Sequence, residues 1–186
     1  MSTRGFLAFA VNGEVKTAYN HSDSYPDGLG FDVLSWLRTA DLTAAATAAA
    51  ALRVADPTDE PTDEDIARLA PSTDTGVGAR TDRPDWYQLL RKTQGDPAAM
   101  LAAGVIEDAS DFPADSLFAE WGYVVDFDTQ TFEVYQGFQQ SPHKSGRFAD
   151  RPGRGNGYHP VRLVTSWPLT ELPDDIAFVK AVEDGA

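Results

Sequence analysis

Gly5-Phe-Leu-Ala-Phe-Ala-Val-Asn-Gly-Glu-Val-Lys-Thr-Ala-Tyr-Asn20 is the stretch on which the fold reading turns. Its first half, Gly5 to Val11, is apolar and strand-like. Asn12-Gly13 follows, and both residues tolerate the positive φ that a type I′ hairpin turn demands. Glu14 to Asn20 then alternates, with Val15, Thr17 and Tyr19 against Lys16, Ala18 and Asn20, as a half-buried strand does. The segment predicts a β-hairpin.

Outward from it, His21 to Gly30 is rich in Ser, Asp, Pro and Gly and reads as a loop. Val33, Leu34, Trp36 and Leu37 fall at helical spacing. Asp41 or Thr43 can cap a second helix running through the alanines to about Val54, since alanine has the best helix propensity. Pro57 and Pro61 break it, and Thr62-Asp-Glu-Asp65 looks like the capped start of another. Asp85 to Lys92 and Pro97 to Ala103 read as short helices, the second capped by Asp96 and ended by Gly104. Trp121–Phe127 and Thr131–Gln136 flank Asp128-Thr129-Gln130 as a second hairpin. Val161 to Trp167 is a further strand, and a last helix starts at Pro173-Asp174-Asp175. Segments 71–84 and 141–160 lack periodicity and read as exposed, mobile loops. The expected fold is one α+β domain spanning 1–186, its sheet mainly antiparallel and built of two hairpins plus an extra strand, with helices packed on it.

Composition narrows the functional classes. A chain of 186 residues buries roughly 70% of its unfolded surface and needs no staples. It has no cysteine, which removes disulfides, thiolate metal sites and cysteine nucleophiles. The first residues do not read as a signal peptide. No apolar run approaches the ~20 residues that span a bilayer, so a cytoplasmic location is expected. The net charge of −14 argues against general nucleic-acid binding and against anionic membranes. Charge is uneven: Asp56 to Asp65 holds six acids and no base, and Glu107 to Asp128 holds seven acids and no base. Lys144, Arg147, Arg151, Arg154 and Arg162 gather later, with Asp150 among them. Acid runs are ordinarily solvated faces; a docking face for a basic partner, or a nucleic-acid mimic, is the sharper alternative.

The segment Tyr19-Asn-His-Ser-Asp-Ser-Tyr-Pro-Asp-Gly-Leu-Gly30 concentrates groups that hydrogen-bond or transfer protons just ahead of a helix. His21 and Asp23 stand two apart, so in extended chain they project to one side, where Asp23 would orient His21 or raise its pKa. These two are the catalytic candidates. Arg4, Tyr19, Asn20 and Tyr25 are candidates for ligand contact, Arg4 for an anion. Gly28 and Gly30 would let backbone approach a ligand. The bland alternative is a strand-to-helix connection of ordinary turn formers, with Arg4 and Asp23 as a structural ion pair.

Thr3-Arg4 before a first hairpin, then His21-x-Asp23-Ser24-Tyr25-Pro26-x-Gly28-x-Gly30 and Val33-Leu34-Ser35-Trp36, resembles an uncharacterised family found in bacteria, phages and fungi. Tyr123-Val-Val-Asp-Phe-Asp128-Thr-Gln-Thr-Phe-Glu-Val-Tyr135 resembles its second block. The resemblance implies membership and no particular reaction. A more distant likeness is to N-terminal-nucleophile amidohydrolases, in which Met removal exposes a nucleophile whose own α-amine, of pKa about 8, is the base. Here Ser2 takes the place of the cysteine seen in several relatives. Serine is the poorer nucleophile, and Met1, where retained, blocks the amine.

Weaker constellations remain. Pro152-Gly-Arg-Gly-Asn-Gly-Tyr-His159 contains G-x-G-x-G but lacks the strand before and helix after that a dinucleotide site needs. His21, His143 and His159 have no metal-ligand spacing, so neither metal nor cofactor is expected. Trp36, Trp86, Trp121 and Trp167 read as core. Two functions stand at this point: a small-molecule binder or amide-bond hydrolase or transferase with its site at the first hairpin and the 19–30 loop, or a non-enzymatic acidic interaction protein, either a phage-type inhibitor of a host protein partner or a nucleic-acid mimic.

Overall fold

The computed structural model describes residues 3–78 and 82–185. Ser2, and with it the nucleophile of the amidohydrolase likeness, lies outside the described residues, as do 79–81 of the first expected loop. The expected hairpin forms: β1 (Gly5–Val11) pairs antiparallel with β2 (Glu14–Asn20). Asn12 and Gly13 hold φ of 54° and 77° at its turn, as the type I′ reading requires. The second hairpin is β5 (Trp121–Asp126) with β6 (Thr131–Gln136), followed by β7 (Arg162–Pro168) on the far side of β6.

The two hairpins join in one five-stranded sheet, in the order β2-β1-β5-β6-β7. The joint corrects a purely antiparallel picture, because β1 and β5 run parallel, Gly5 opposite Trp121 and Phe9 opposite Val125. An all-apolar β1 fits this place. Every one of its residues is buried, which happens when both faces and both edges of a strand are covered.

Helices pack on one face of the sheet. They are α1 (Phe31–Leu37), α2 (Leu42–Ala51), α5 (Pro97–Ala103) and α6 (Asp175–Gly185), which meet Leu7, Phe9, Tyr123, Val125, Phe132 and Val134. The caps are those the sequence offers. Asp41 accepts from Thr43 N and Ala44 N, Asp96 accepts from Ala99 N, and Gly104 ends α5 in the left-handed conformation. The other face carries Phe6, Ala8, Ala10, Val124 and Tyr135, and irregular chain covers it with Ala119, Phe148 and Val161. The 141–160 segment is therefore not uniformly exposed. Phe148 is fully buried, and Arg147 pairs with Asp126 at 2.5 Å and Glu133 at 2.6 Å. Its other two arginines also find partners within the molecule: Arg151 donates to Ser110 O, and Arg154 lies 3.5 Å from Asp111. Residues 71–78 and 82–84 include no buried side chain.

A small second sheet was not expected. β3 (Arg53–Ala55) pairs parallel with β4 (Val105–Glu107), and Ala109 N donates to Thr17 O on the outer edge of β2. The helix read through Val54 ends three residues earlier, and its stop comes from elsewhere in the chain. Lys16, buried on β2, donates from Nζ to the carbonyls of Ala49, Ala50 and Leu52 at 3.0, 2.8 and 2.9 Å. These carbonyls lie at the terminus of α2, where the last turn leaves C=O groups short of intrahelical partners. Ala49 O accepts from Leu52 N at 3.2 Å besides Lys16, and a cation there is favoured by the helix dipole. Below this sheet α3 (Asp63–Leu69) and α4 (Trp86–Leu89) bury Leu69, Trp86 and Leu89 against Ala55 and Val105. Among the described residues no helix is long and apolar enough to cross a membrane.

Replacing Lys16 with Met keeps the aliphatic stem and removes three charge-assisted hydrogen bonds. Stability is expected to fall by about 2 kcal/mol, read as a lowered denaturation midpoint at unchanged slope. A midpoint equal to wild type would show that water satisfies the α2 carbonyls equally well.

Candidate functional site

The hairpin brings three of the candidate residues together. Gly5 pairs with Asn20 and Phe6 with Tyr19, so Arg4 stands opposite His21 at the open end of the ladder. Tyr19 and His21, two apart on one strand end, share a face. Tyr19 Oη lies 3.2 Å from His21 Nδ1. Two further rings close around them from other parts of the chain. Phe112 meets Tyr19 edge-on with centroids 5.2 Å apart, and Tyr87 of α4 lies 6.5 Å from Tyr19 and 6.3 Å from His21. The Arg4 guanidinium sits 5.4 Å from the ring centre of Phe118, and that of Arg91 sits 5.9 Å from the ring centre of Tyr87. Gln94 knits the group. Its Oε1 accepts from Arg91 Nη1 at 2.7 Å and from the His21 backbone N–H at 3.3 Å.

Electrostatics follow from this company. Partial burial lowers the His21 pKa, and the positive charges of Arg91 and Arg4 push it the same way. The imidazole is therefore neutral at pH 7, with one ring nitrogen able to donate and the other to accept. Burial raises the Tyr19 pKa against the opposing pull of Arg4, which keeps the phenol a proton donor. Among the described residues neither Arg4 nor Arg91 is in an ion pair with a carboxylate.

Asp23 does not do what its spacing suggests. It adopts φ of 57°, which breaks the extended geometry that would carry it to the side of His21. Its carbonyl accepts from Leu29 N, its carboxylate lies against Gly28, and its charge acts on Asp32 and Tyr123. The sign of the His21 shift is correspondingly opposite to the one an adjacent carboxylate would give. No ion pair joins Arg4 to Asp23 among the described residues either.

The rest of the 19–30 segment is a connector. Asn20 is buried and donates from Nδ2 to Ser22 O and Ser24 Oγ at 2.7 and 2.8 Å. Tyr123 Oη donates to Ser24 O at 2.9 Å. The carbonyl of the exposed Tyr25 accepts from Gly28 N and Gly30 N, closing a wide turn that runs into α1. Gly30 is needed for packing: a Cβ there would stand 3.0 Å from the Phe178 ring and 3.1 Å from Tyr123.

Two hollows flank Tyr19. One is an open cleft of about 500 Å³, walled by Tyr19 and Phe112 and edged by Asp56, Asp108, Asp111 and Arg154. The other is a cavity of about 20 Å³ between Tyr19, Thr93, Gln94, Met100 and Glu107, room for roughly one water. Burial, reinforced by the charge of Asp85, pushes the Glu107 carboxyl up to about 7. Tyr87, Arg91, Gln94, Phe112 and Glu107 were not among the sequence candidates. They lie 66 to 91 positions from His21, and no local motif marks them. The one signal available was the Tyr87–Arg91 spacing, which sets an aromatic and a cation on the same side of a helical segment. Among the described residues no group of three His, Asp or Glu side chains is placed to hold a metal ion.

Comparison with protein-family models, curated proteins and solved structures finds no match to this chain.

If Gly30 is scaffold, Gly30→Ala should cost about 1–3 kcal/mol through overpacking against Phe178 and Tyr123, measured by thermal or chemical unfolding. A Gly30→Ala protein as stable as wild type would return Gly30 to the ligand candidates.

Proposed function

We propose that the protein binds a small anion carrying a flat or apolar group at the cluster of Arg4, Tyr19, His21, Tyr87 and Arg91. The observation that supports this most is the pair of arginines. They reach one aromatic and imidazole group from separate elements, and neither guanidinium is paired with a carboxylate among the described residues. A guanidinium presents a planar fork that fits a carboxylate or phosphate. Neutral His21 and the Tyr19 hydroxyl supply directed hydrogen bonds, and the rings offer a surface for stacking. In a chain of net charge −14, a local pair of cations selects by position as well as by sign.

The acidic-mimic alternative has less behind it. Several acids of the two runs pair within the molecule: Asp63 with Arg83, Asp65 with Arg53 and Arg68, Asp111 with Arg154, and Asp126 with Arg147. Each such pairing offsets part of the charge that a continuous anionic face would carry. Catalysis of amide-bond transfer would need a nucleophile beside the cluster, and Ser2 is the residue the amidohydrolase likeness offers. Membership of the bacterial, phage and fungal family, and that likeness, are further proposals that the binding reading does not require.

Isothermal titration with sulfate, benzoate and phenyl phosphate tests the reading. At least one of them is expected to bind, the aromatic anions more tightly than sulfate. Arg4→Ala and Arg91→Ala should each weaken binding by about tenfold, the loss of one charge-assisted contact. No binding of any of the three, or binding by both arginine variants as tight as that of wild type, would contradict it.

A further inference from the structure

A hollow of about 280 Å³ lies where β5 begins, and none of its lining residues belongs to the anion cluster. Trp121, the first residue of β5, forms one wall with Val179 and Val182 of α6, and Pro26 closes another side. Val179, Val182 and Glu183 stand at i, i+3 and i+4, so a single helix face supplies all three. Pro26 and Asp27 belong to the turn ahead of α1. Backbone hydrogen bonds fix that turn, from Gly28 N and Gly30 N to Tyr25 O and from Leu29 N to Asp23 O. The volume is slightly below the roughly 300 Å³ at which ligand pockets ordinarily begin, so the hollow suits a small molecule.

Its charge has one sign. Asp27 and Glu183, both exposed, are the charged residues that line it. Among the described residues neither is in an ion pair. The last turn of α6 holds no base, and a helix C-terminus is itself the negative pole of the helix dipole. Two cations stand near this end of α6 without answering those carboxylates. Arg162 donates from Nη2 to Gly185 O at 2.8 Å, and Lys180 lines a neighbouring hollow with Phe31 and Ile176, which Glu183 also borders.

We propose that this hollow binds a small organic ammonium carrying a flat apolar body, of the arylalkylamine class. Asp27 and Glu183 take the ammonium at the rim, while the two valines and Pro26 take the apolar body. Trp121 serves both, because an indole face attracts a cation more strongly than other aromatic rings do. A neutral analogue keeps the apolar contact and loses the charge, and an anionic analogue is repelled by both carboxylates. The site has the opposite sign to the Arg4–Arg91 cluster and stands whether or not that cluster binds an anion.

Phenethylammonium is the probe, an alkylammonium that stays protonated at neutral pH as a lysine does. Phenethyl alcohol and phenylacetate are its neutral and anionic counterparts. NMR titration of wild type is expected to show saturable shifts at the Trp121 indole N–H and at the methyls of Val179 and Val182. The alcohol should bind there about fivefold more weakly, and phenylacetate should leave those signals in place. Asp27→Asn and Glu183→Gln should each weaken phenethylammonium about threefold, the size of one solvent-screened charge. The denaturation midpoint should not move in either variant, since both side chains are exposed. Three results would each overturn the proposal. They are shifts confined to other acidic parts of the surface or absent altogether, an alcohol that binds as tightly as the amine, and both variants binding as tightly as wild type.

Discussion

Two backbone amides at the turn of the first hairpin, those of Asn12 and Gly13, donate to the two oxygens of Asp128 in the turn of the second, each at 2.8 Å. They lie beside the parallel pairing of β1 with β5, where Phe127 N donates to Ala10 O. A hairpin pair separated by about a hundred residues has a large loop to close, and a side chain that fits turn to turn fixes the register as it closes. A one-residue slip would turn Leu7 and Phe9 out of the helix-covered face and Phe6 and Ala8 out of the other. Both buried layers depend on that alignment.

The site depends on it at one remove. The open end of the β1–β2 ladder carries Arg4, Tyr19 and His21, but it becomes a cluster only because α4 and the turn after it bring Tyr87, Arg91 and Gln94 across. Those residues ride on the small β3–β4 sheet, whose β4 continues into the backbone contact at Thr17. Lys16, on the opposite face of the same strand, ends α2 just before β3 begins. One edge strand thus positions the helix layer with one face and the candidate ligand groups with the other. The proposed binding chemistry depends on that double use of β2.

Local chemistry made much of the fold legible. The Asn12-Gly13 turn, the Asp41 and Asp96 caps, the Thr62–Asp65 box and the Gly104 stop are each written within a few residues. What stayed illegible was settled at long range. The alanine run has no stop of its own, so its end was invisible without Lys16. Three-residue β3 and β4 are too short for any period. The parallel joint was equally hidden, although the all-apolar β1 hinted at a central strand. At the site, spacing alone put His21 beside Asp23, and the left-handed backbone at Asp23 undid it. Arg4, Tyr19 and His21 come together because they are neighbours at the end of the ladder. Their partners from α4 and from 112–118 are neighbours only in space.

If one ligand touches the hairpin and α4 at once, as proposed, intermolecular NOEs report it directly. With benzoate bound, its ring protons are expected to show NOEs to the rings of both Tyr19 and Tyr87, and at a fixed subsaturating benzoate concentration these should weaken together in Arg91→Ala. NOEs from bound benzoate to neither ring, or to residues lining a different hollow of the molecule, would contradict the account.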